Sequence, residues 1–404
     1  MLGWELPPHN SGGLGVACLH LSKALSKHGA NIDFVVPYEA KHEVNHMNIL
    51  PATKIDPLFR YGGSAYESKH ITEKIFDTPT KTKKLSIRDI QKDYCRFVER
   101  YLMEYKPDFV HAHDWLTYEA GILAKKNFGI PLIAHVHATE YDRSGMEGGN
   151  PLVHEIEREG LLWADRIIAV SQTTKDIIAA RYDIPSDKIN VAYNGFDIST
   201  YDDNYTYSGS SYQYLEALKK QGYTIVSTVG RFTLQKGLYH LMRAAARAIK
   251  VHPKLVFLFA GDGEQKQDLM RQSADLGISA NVLFTGFIRG KQLRDIYTIS
   301  DIFVMSSVSE PFGLTALEAA HHGNALVITK QSGVGEVLHS IMRYDFWDED
   351  KLADTLIGIA QHPTLEENLK TGIAQEYAKI SWSDVAKKCI QVYDEVGKHK
   401  RNIF

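Results

Sequence analysis

Short apolar runs alternate with longer stretches of helical period along most of this 404-residue chain. Residues 32–36, 109–111, 132–135 and 166–170 are apolar runs bounded by turn residues and read as strands. Residues 16–28 and 87–105 carry apolar side chains at helical spacing. The same alternation returns further on. Strands are predicted at 224–229, 255–259, 282–284, 302–305 and 325–328, with helices at 238–250 and 265–276 among them. This order predicts βαβ units and parallel sheets. The near-continuous apolar strands predict sheets covered on both faces. The fold class is therefore α/β. Residues 199–214 are polar and rich in Tyr and Ser, and read as the linker between two such sets, followed by a short helix at 215–220. The tail, 382–396, keeps Val385, Cys389, Val392 and Val396 on one helical face. Met1 to Trp4 leave room for only a short first strand.

Composition narrows the class. Hydrophobic residues at 44% and charged residues at 24% suit a soluble globular protein. A net charge of −3 argues against a nucleic-acid surface as the main business. Cys18, Cys95 and Cys389 follow no metal spacing and no disulfide framework, which suggests a reducing compartment. No apolar run approaches the ~18–20 residues that span a bilayer. The start has neither a basic region nor an apolar core, so no signal peptide is expected. These features predict a cytoplasmic protein. Peripheral membrane contact stays open, because a charge total hides patches.

Candidate chemistry gathers at strand ends. Glu310 and Glu318 flank Pro311 and Gly313 between two predicted strands. Glu310 should sit on a strand-to-helix loop, and Glu318 one to two turns into the helix. The amides of Gly313, Leu314 and Thr315 then form an anion site at the helix start. A carboxylate beside it needs hydroxyls to face, as on a sugar or a ribose. The bland alternative is an ordinary acidic residue in a first turn. Gly230, Arg231, Lys236 and Gly237 follow the strand ending at Val229. The Arg and Lys can converge on two phosphates, or be an ordinary solvated pair. Asn10 to Gly15 joins the first strand to the first helix. Gly12, Gly13 and Gly15 let a backbone approach a ligand and adopt positive φ; the bland reading is tight helix packing. His111, His113, Asp114 and Trp115 end one strand, and His135 and His137 another. The histidines can be metal ligands or buried strand residues with satisfied nitrogens. The second reading is preferred for His111 and His135.

Together these motifs resemble the retaining GT-B glycosyltransferases of family 4, in the glycogen and starch synthase group. The resemblance spans Ser11 to about Val396. It implies two Rossmann-like domains with parallel sheets facing a central cleft. The expected domains are 1–200 on the acceptor side and 201–382 for the nucleotide-sugar, with the helix at 383–404 packing back on the first. It implies transfer of a hexose, glucose first, from UDP- or ADP-glucose to a hydroxyl such as that of an α-glucan. Glu310 would bind the donor sugar, Glu318 the ribose, and the Gly313–Thr315 backbone the distal phosphate. Arg231 and Lys236 would hold the departing diphosphate, so no metal or other cofactor is expected. Gly230 and the turn at Gly261 would lie near the diphosphate. Thr285 to Ile288 would border the base, with Phe287 stacking on it or sitting in the core. His137 would contact the donor sugar. His113, Asp114 and Trp115 would line the acceptor side, and Glu140, Tyr141 and Arg143, on the loop that follows His137, would touch acceptor or donor. Asn10 departs from bacterial glycogen synthases, which carry Lys there. The other readings are a mannosyl- or hexosyltransferase for capsule, glycolipid or small glycoside, and a binding protein that kept the fold without catalysis. An epimerase would not carry both motifs, and a phosphorylase would need a longer chain. The acceptor is not specified, and residues 38–84 carry no readable motif.

Overall fold

The computed structural model describes residues 1–10, 12–55, 71–74, 82–197 and 209–401. They form two units. The first comprises Met1–Tyr141, Gly148–Gly195 and Ser381–Phe404, and the second Asp142–Glu147 and Phe196–Ile380.

In the first unit the strands are β1 (Asp33–Val36), β2 (Asn48–Pro51), β3 (Ile71–Lys74), β4 (Thr82–Leu85), β5 (Val110–His113), β6 (Leu132–Val136), β7 (Arg166–Ala169) and β8 (Ile189–Val191). β5 to β8 form a parallel sheet in chain order, and β1 pairs with β2 in parallel. Leu2 joins the two sets through single parallel bridges to Val35 and Ala112. The short first strand expected from Met1 to Trp4 is therefore one bridge long. β3 and β4 pair antiparallel. The final helix, Trp382–Arg401, packs along the first helix, Gly13–Lys27. The His20 ring stacks on Trp382, and Tyr393 stacks on Phe109. Its buried Val385, Cys389, Val392 and Val396 are the apolar stripe visible in the sequence.

In the second unit the strands are β9 (Thr224–Val229), β10 (Leu255–Ala260), β11 (Val282–Gly286), β12 (Ile302–Met305), β13 (Ala325–Thr329) and β14 (Met342–Tyr344). Their order is β11-β10-β9-β12-β13-β14, with every pair parallel. This is the doubly wound order, and it reverses between β9 and β12. β10 is buried along its whole length. Val256, Leu258 and Ala260 point to one face, against Leu215, Ile296 and Ile299 of two helices.

Both units fix a strand start with the same device. Asp165 accepts from the Leu132 amide and from Lys125, and Asp301 accepts from the Ile225 amide and from Lys219. Helix starts follow capping chemistry. Ser86 and Asp89 form a reciprocal box at Ile87–Glu104, and Asn150 caps the helix that opens with Pro151.

Three details depart from expectation. The first helix starts at Gly13, earlier than residue 16. The helix expected at 215–220 runs Gly209–Lys220, and residues 199–208 of the expected linker lie outside the described residues. β2, β3, β4, β8 and β14 were not foreseen; each has three or four residues, and β2 is half exposed. Among the described residues no helix is long and apolar enough to cross a membrane.

Candidate active site

A crevice opens where sheet order reverses, because the loops leaving adjacent strands diverge there. In the second unit those loops follow β9 and β12. After β9 the loop runs from Gly230 to Gly237. Phe232 is buried against Phe259 and Phe284 and anchors this loop. Gly237 has φ +59°, and a Cβ there would stand 2.1 Å from the Ser306 carbonyl oxygen. Only glycine lets the two loops approach so closely. After β12 the loop runs through Ser306, Ser307 and Glu310 to the helix Leu314–His321, capped by Gly313 at φ +107°.

The two loops are knitted together. Ser306 Oγ donates to the Lys236 carbonyl at 2.8 Å. The Val308 amide donates to the Gln235 carbonyl, and the Gln235 side chain donates to the Ser309 carbonyl. Lys236 Nζ donates to Glu310 Oε2 at 2.6 Å, and Ser307 Oγ donates to the same oxygen at 2.8 Å. The Glu310 backbone is held by the Gln331 carbonyl and the Gly333 amide. Residues 332–336, which had no expected role, thus brace Glu310. Gly230, Arg231, Lys236, Ser307, Glu310 and Thr315 line one shallow pocket. The Ala316 amide donates to the Gly313 carbonyl, and the amides of Leu314 and Thr315 at the start of the helix Leu314–His321 precede its first intrahelical bond and favour an anion.

Glu318 lies in that helix, half-buried. Tyr297 Oη donates to its Oε2 at 2.8 Å. Burial pushes the Glu318 carboxyl up to about 7, against the opposing hydrogen bond from Tyr297. Gly261 ends β10 at φ +150°, its Cα facing the Gly230 carbonyl. Phe287 is 57% exposed, which removes the core reading for it; the Arg289 guanidinium lies 4.7 Å from its ring centroid. Ile288 packs on the edge of the core.

The first unit holds a column of imidazoles. His111 and His113 stack at 4.5 Å, and His135 and His137 at 4.3 Å. Hydrogen bonds link His111 Nε2 to His135 Nδ1 at 3.1 Å and His113 Nδ1 to His137 Nε2 at 2.9 Å. His111 Nδ1 bonds to Tyr393 Oη of the last helix at 2.6 Å. Both nitrogens of His111 are thus satisfied, as expected, whereas His135 Nε2 is buried with no hydrogen-bond partner. Burial lowers His111 and His137 to about 3, and holds His113 and His135 well below the usual imidazole range. Cys18, His113 and His137 bring ligand atoms within 4.8 Å of one another, as do His111, His113 and His135. The hydrogen bonds just described already occupy part of both sets.

Asp114 has φ +59°, uncommon for a non-glycine residue, and its Oδ1 accepts from the His137 amide at 2.7 Å. His113, Asp114 and Trp115 are buried, with no surface to offer a solute here. Glu140 Oε1 accepts from the Asn150 amide, and the Tyr141 ring lies tilted against His154 with centroids 4.3 Å apart. Gly12 is extended at φ −163° and caps a helix begun by Gly13, with no acidic residue in its first turn. No positive φ is used at Gly12, Gly13 or Gly15. Gly15 is needed for proximity instead, since a Cβ there would meet the Glu5 carbonyl at 3.1 Å.

Two family models divide the chain between them. Glycosyltransferase Family 4 matches residues 11–200, and Glycosyl transferases group 1 matches residues 215–370. The chain belongs to glycosyltransferase family 4. It is a transferase of the GT-B type, in the glycogen and starch synthase-like group. An uncharacterized glycosyltransferase of Methanocaldococcus jannaschii is 27% identical over 97% of this chain and 97% of its own. The glycogen synthase of Mycobacterium tuberculosis (strain CDC 1551 / Oshkosh) is 27% identical over 84% of this chain and 79% of its own. HepE of Anabaena, solved in complex with UDP-glucose, shares the fold at a TM-score of 0.68 and 19% identity, over 98% of this chain and 99% of its own.

The sequence did not point to Ser307, Tyr297, Gln235 or the 332–336 turn. Ser307 lay in view, because hydroxyls just past a strand end at a switch point face the crevice. The others carry no such signal.

Proposed function

We propose that this family 4 enzyme moves glucose from UDP- or ADP-glucose to a carbohydrate hydroxyl, an α-glucan first, with retention at the anomeric carbon. The observation that carries this reading is the meeting of Arg231, Lys236, Glu310 and Thr315 around one pocket at the β9/β12 reversal. Two cations and a helix start suit a diphosphate, and the adjacent carboxylate suits sugar hydroxyls. The UDP-glucose bound by HepE supports the donor class.

In the proposed reaction the bond between the anomeric carbon and the diphosphate oxygen breaks. Arg231, Lys236 and the amides of Gly313, Leu314 and Thr315 take up the charge on the departing diphosphate. The acceptor oxygen forms its bond on the same face, and its proton passes to the leaving phosphate. Glu310 binds sugar hydroxyls and is not a nucleophile. Glu318 binds the ribose, Phe287 and Ile288 border the base, and Gly230 and Gly261 border the diphosphate. In the first unit His137 is the proposed sugar contact, and the Gly12, Gly13 and Gly15 loop a further donor contact. Cations in the protein take the place of a metal.

The test is release of nucleotide diphosphate from UDP-, ADP- and GDP-sugars without acceptor or metal. Release from one donor, lost in Glu310→Ala and Lys236→Ala, supports the reading and fixes base and sugar. Use of a GDP-sugar would favour the mannosyl or other hexosyl reading. Absence of both release and calorimetric binding would favour a non-catalytic protein.

A further inference from the structure

Residues 142–147 follow the strand-end histidines in sequence yet belong to the second unit. Asp142 is fully buried there. Ser309 Oγ donates to Asp142 Oδ1 at 2.5 Å. Ser309 directly precedes Glu310, and its carbonyl accepts from the Gln235 side chain at 3.0 Å. Further along the segment, a Cβ on Gly145 would stand 3.5 Å from Leu234 and 4.0 Å from Val308. The segment therefore lies on both donor loops, the one with Arg231 and Lys236 and the one with Glu310. Gly145 and Met146 have φ +71° and +70°. A left-handed methionine is rare, and such backbone persists only where surroundings over-determine it.

We propose that Asp142 is a positioning residue of the donor site, holding Glu310 in its orientation through Ser309. The proposal rests on the reading of Glu310 as the sugar-binding carboxylate. A buried carboxylate is costly to desolvate, so filling volume alone would favour an apolar side chain. The anchor differs in kind from the bonds on the Glu310 side chain. Lys236 and Ser307 bond its side chain, where sugar hydroxyls and diphosphate would compete for them. The Asp142–Ser309 bond lies outside that competition and persists while donor binds.

The test compares Asp142→Ala, Asp142→Asn, Ser309→Ala and the Asp142→Ala/Ser309→Ala double variant in the full chain, with UDP- and ADP-glucose. Loss of the anchor should lower kcat about 10- to 100-fold, up to the cost of misplacing a substrate-positioning group by about 1 Å. The Kd for UDP or ADP should stay within about threefold, because neither carries the sugar that Glu310 would bind. Asp142→Asn keeps an acceptor oxygen and should restore most of kcat. The double variant should be no worse than the worse single one. Hydrogen exchange of residues 306–312 should rise in Asp142→Ala, whatever the activity. A kcat within twofold of wild type with unchanged exchange overturns the proposal. So does an equal fall for Asp142→Asn and Asp142→Ala. If Asp142→Ala does not fold, Ser309→Ala decides by the same measures. If the wild type transfers no hexose from either donor, the function reading fails, and exchange alone judges the anchor.

Discussion

Acid should unfold the first unit at a pH most proteins of this size tolerate. His111, His113, His135 and His137 are buried and neutral in the folded state, with His111 and His137 lowered to about 3. In the unfolded chain each returns to about 6.5. The unfolded state therefore binds more protons below that value, so stability present above pH 6.5 is lost as pH falls toward the folded pKa. At pH 5.5 each imidazole withdraws about 1.4 kcal/mol, so the four together withdraw about 5–6 kcal/mol. A domain has about 5–15 kcal/mol to lose. The first unit should thus approach its midpoint near pH 5.5, while ordinary carboxylates are still ionised. Glu318 works in the opposite sense. Its folded value of about 7 lies above the unfolded one, so its contribution is present at low pH and lost as pH rises.

The assay follows from where the tryptophans lie. Trp4, Trp115, Trp163 and Trp382 are in the first unit, and only Trp347 is in the second. Urea unfolding followed by tryptophan fluorescence at pH 7.5, 6.5, 6.0 and 5.5 therefore reports mainly the histidine-bearing unit. The slope near pH 5.5 should be about 5 kcal/mol per pH unit, about 1.2 for each imidazole. His111→Gln can still reach Tyr393 and carries no titrating ring, so its slope should fall by about one quarter. Stability unchanged between pH 7.5 and 5.5 would refute the reasoning, as would equal slopes for wild type and His111→Gln. Either result would mean that the folded column accepts protons.

Donor affinity should depend on pH through Glu318. Calorimetric Kd for the donor should weaken about tenfold per pH unit below 7, because ribose hydroxyls need the ionised carboxylate and a sugar diphosphate does not titrate there; Glu318→Gln should flatten this, and a slope unchanged in that variant counts against the ribose role. Gly237→Ala would place a methyl 2.1 Å from the Ser306 oxygen at φ +59°, so thermal melting should show a loss of roughly 1–3 kcal/mol, with donor binding at least tenfold weaker. Wild-type melting behaviour in that variant would show that the loops can separate at little cost. Transfer should survive EDTA dialysis within twofold; a loss restored by one added divalent cation would overturn the metal-free reading.

The sequence carried five of the six strands of the second unit to within two residues. β12 is a continuous apolar run, and a run covered on both faces has no polar position to blur its limits; β9 carries Ser227 and Thr228 within it, both buried. Their ends placed Arg231, Lys236 and Glu310 on loops. The two His-x-His pairs were legible as same-face neighbours, because strand side chains repeat with period two. Their stacking was not, since it depends on register: His113 lies opposite His135 only because β5 and β6 pair with that offset. β2, β8 and β14 escaped notice because each has only three or four residues and partial burial, and β3 and β4 because each is four residues of mostly polar character. The bonds that orient the carboxylates were out of reach for a related reason. Lys236 and Glu310 are 74 positions apart, and Asp142 and Ser309 are 167 apart. No local pattern encodes such pairs.

What brings those distant residues together is the reversal of strand order. β9 and β12 are neighbours in the sheet, yet two strands and their helices intervene in sequence. Their outgoing loops must part, and the gap exposes groups that a continuous layer would cover. The protein fills that gap with opposite charges. Lys236 and Glu310 meet at 2.6 Å with side chains only 21% and 12% exposed, so each offsets the other's loss of water. A diphosphate sugar offers replacements for both at once: phosphate oxygens for the lysine and hydroxyl donors for the carboxylate. Inorganic phosphate or free glucose would satisfy one partner and strand the other. The pairing therefore favours a ligand that carries both groups in one molecule, which is the property that separates a sugar donor from its hydrolysis products.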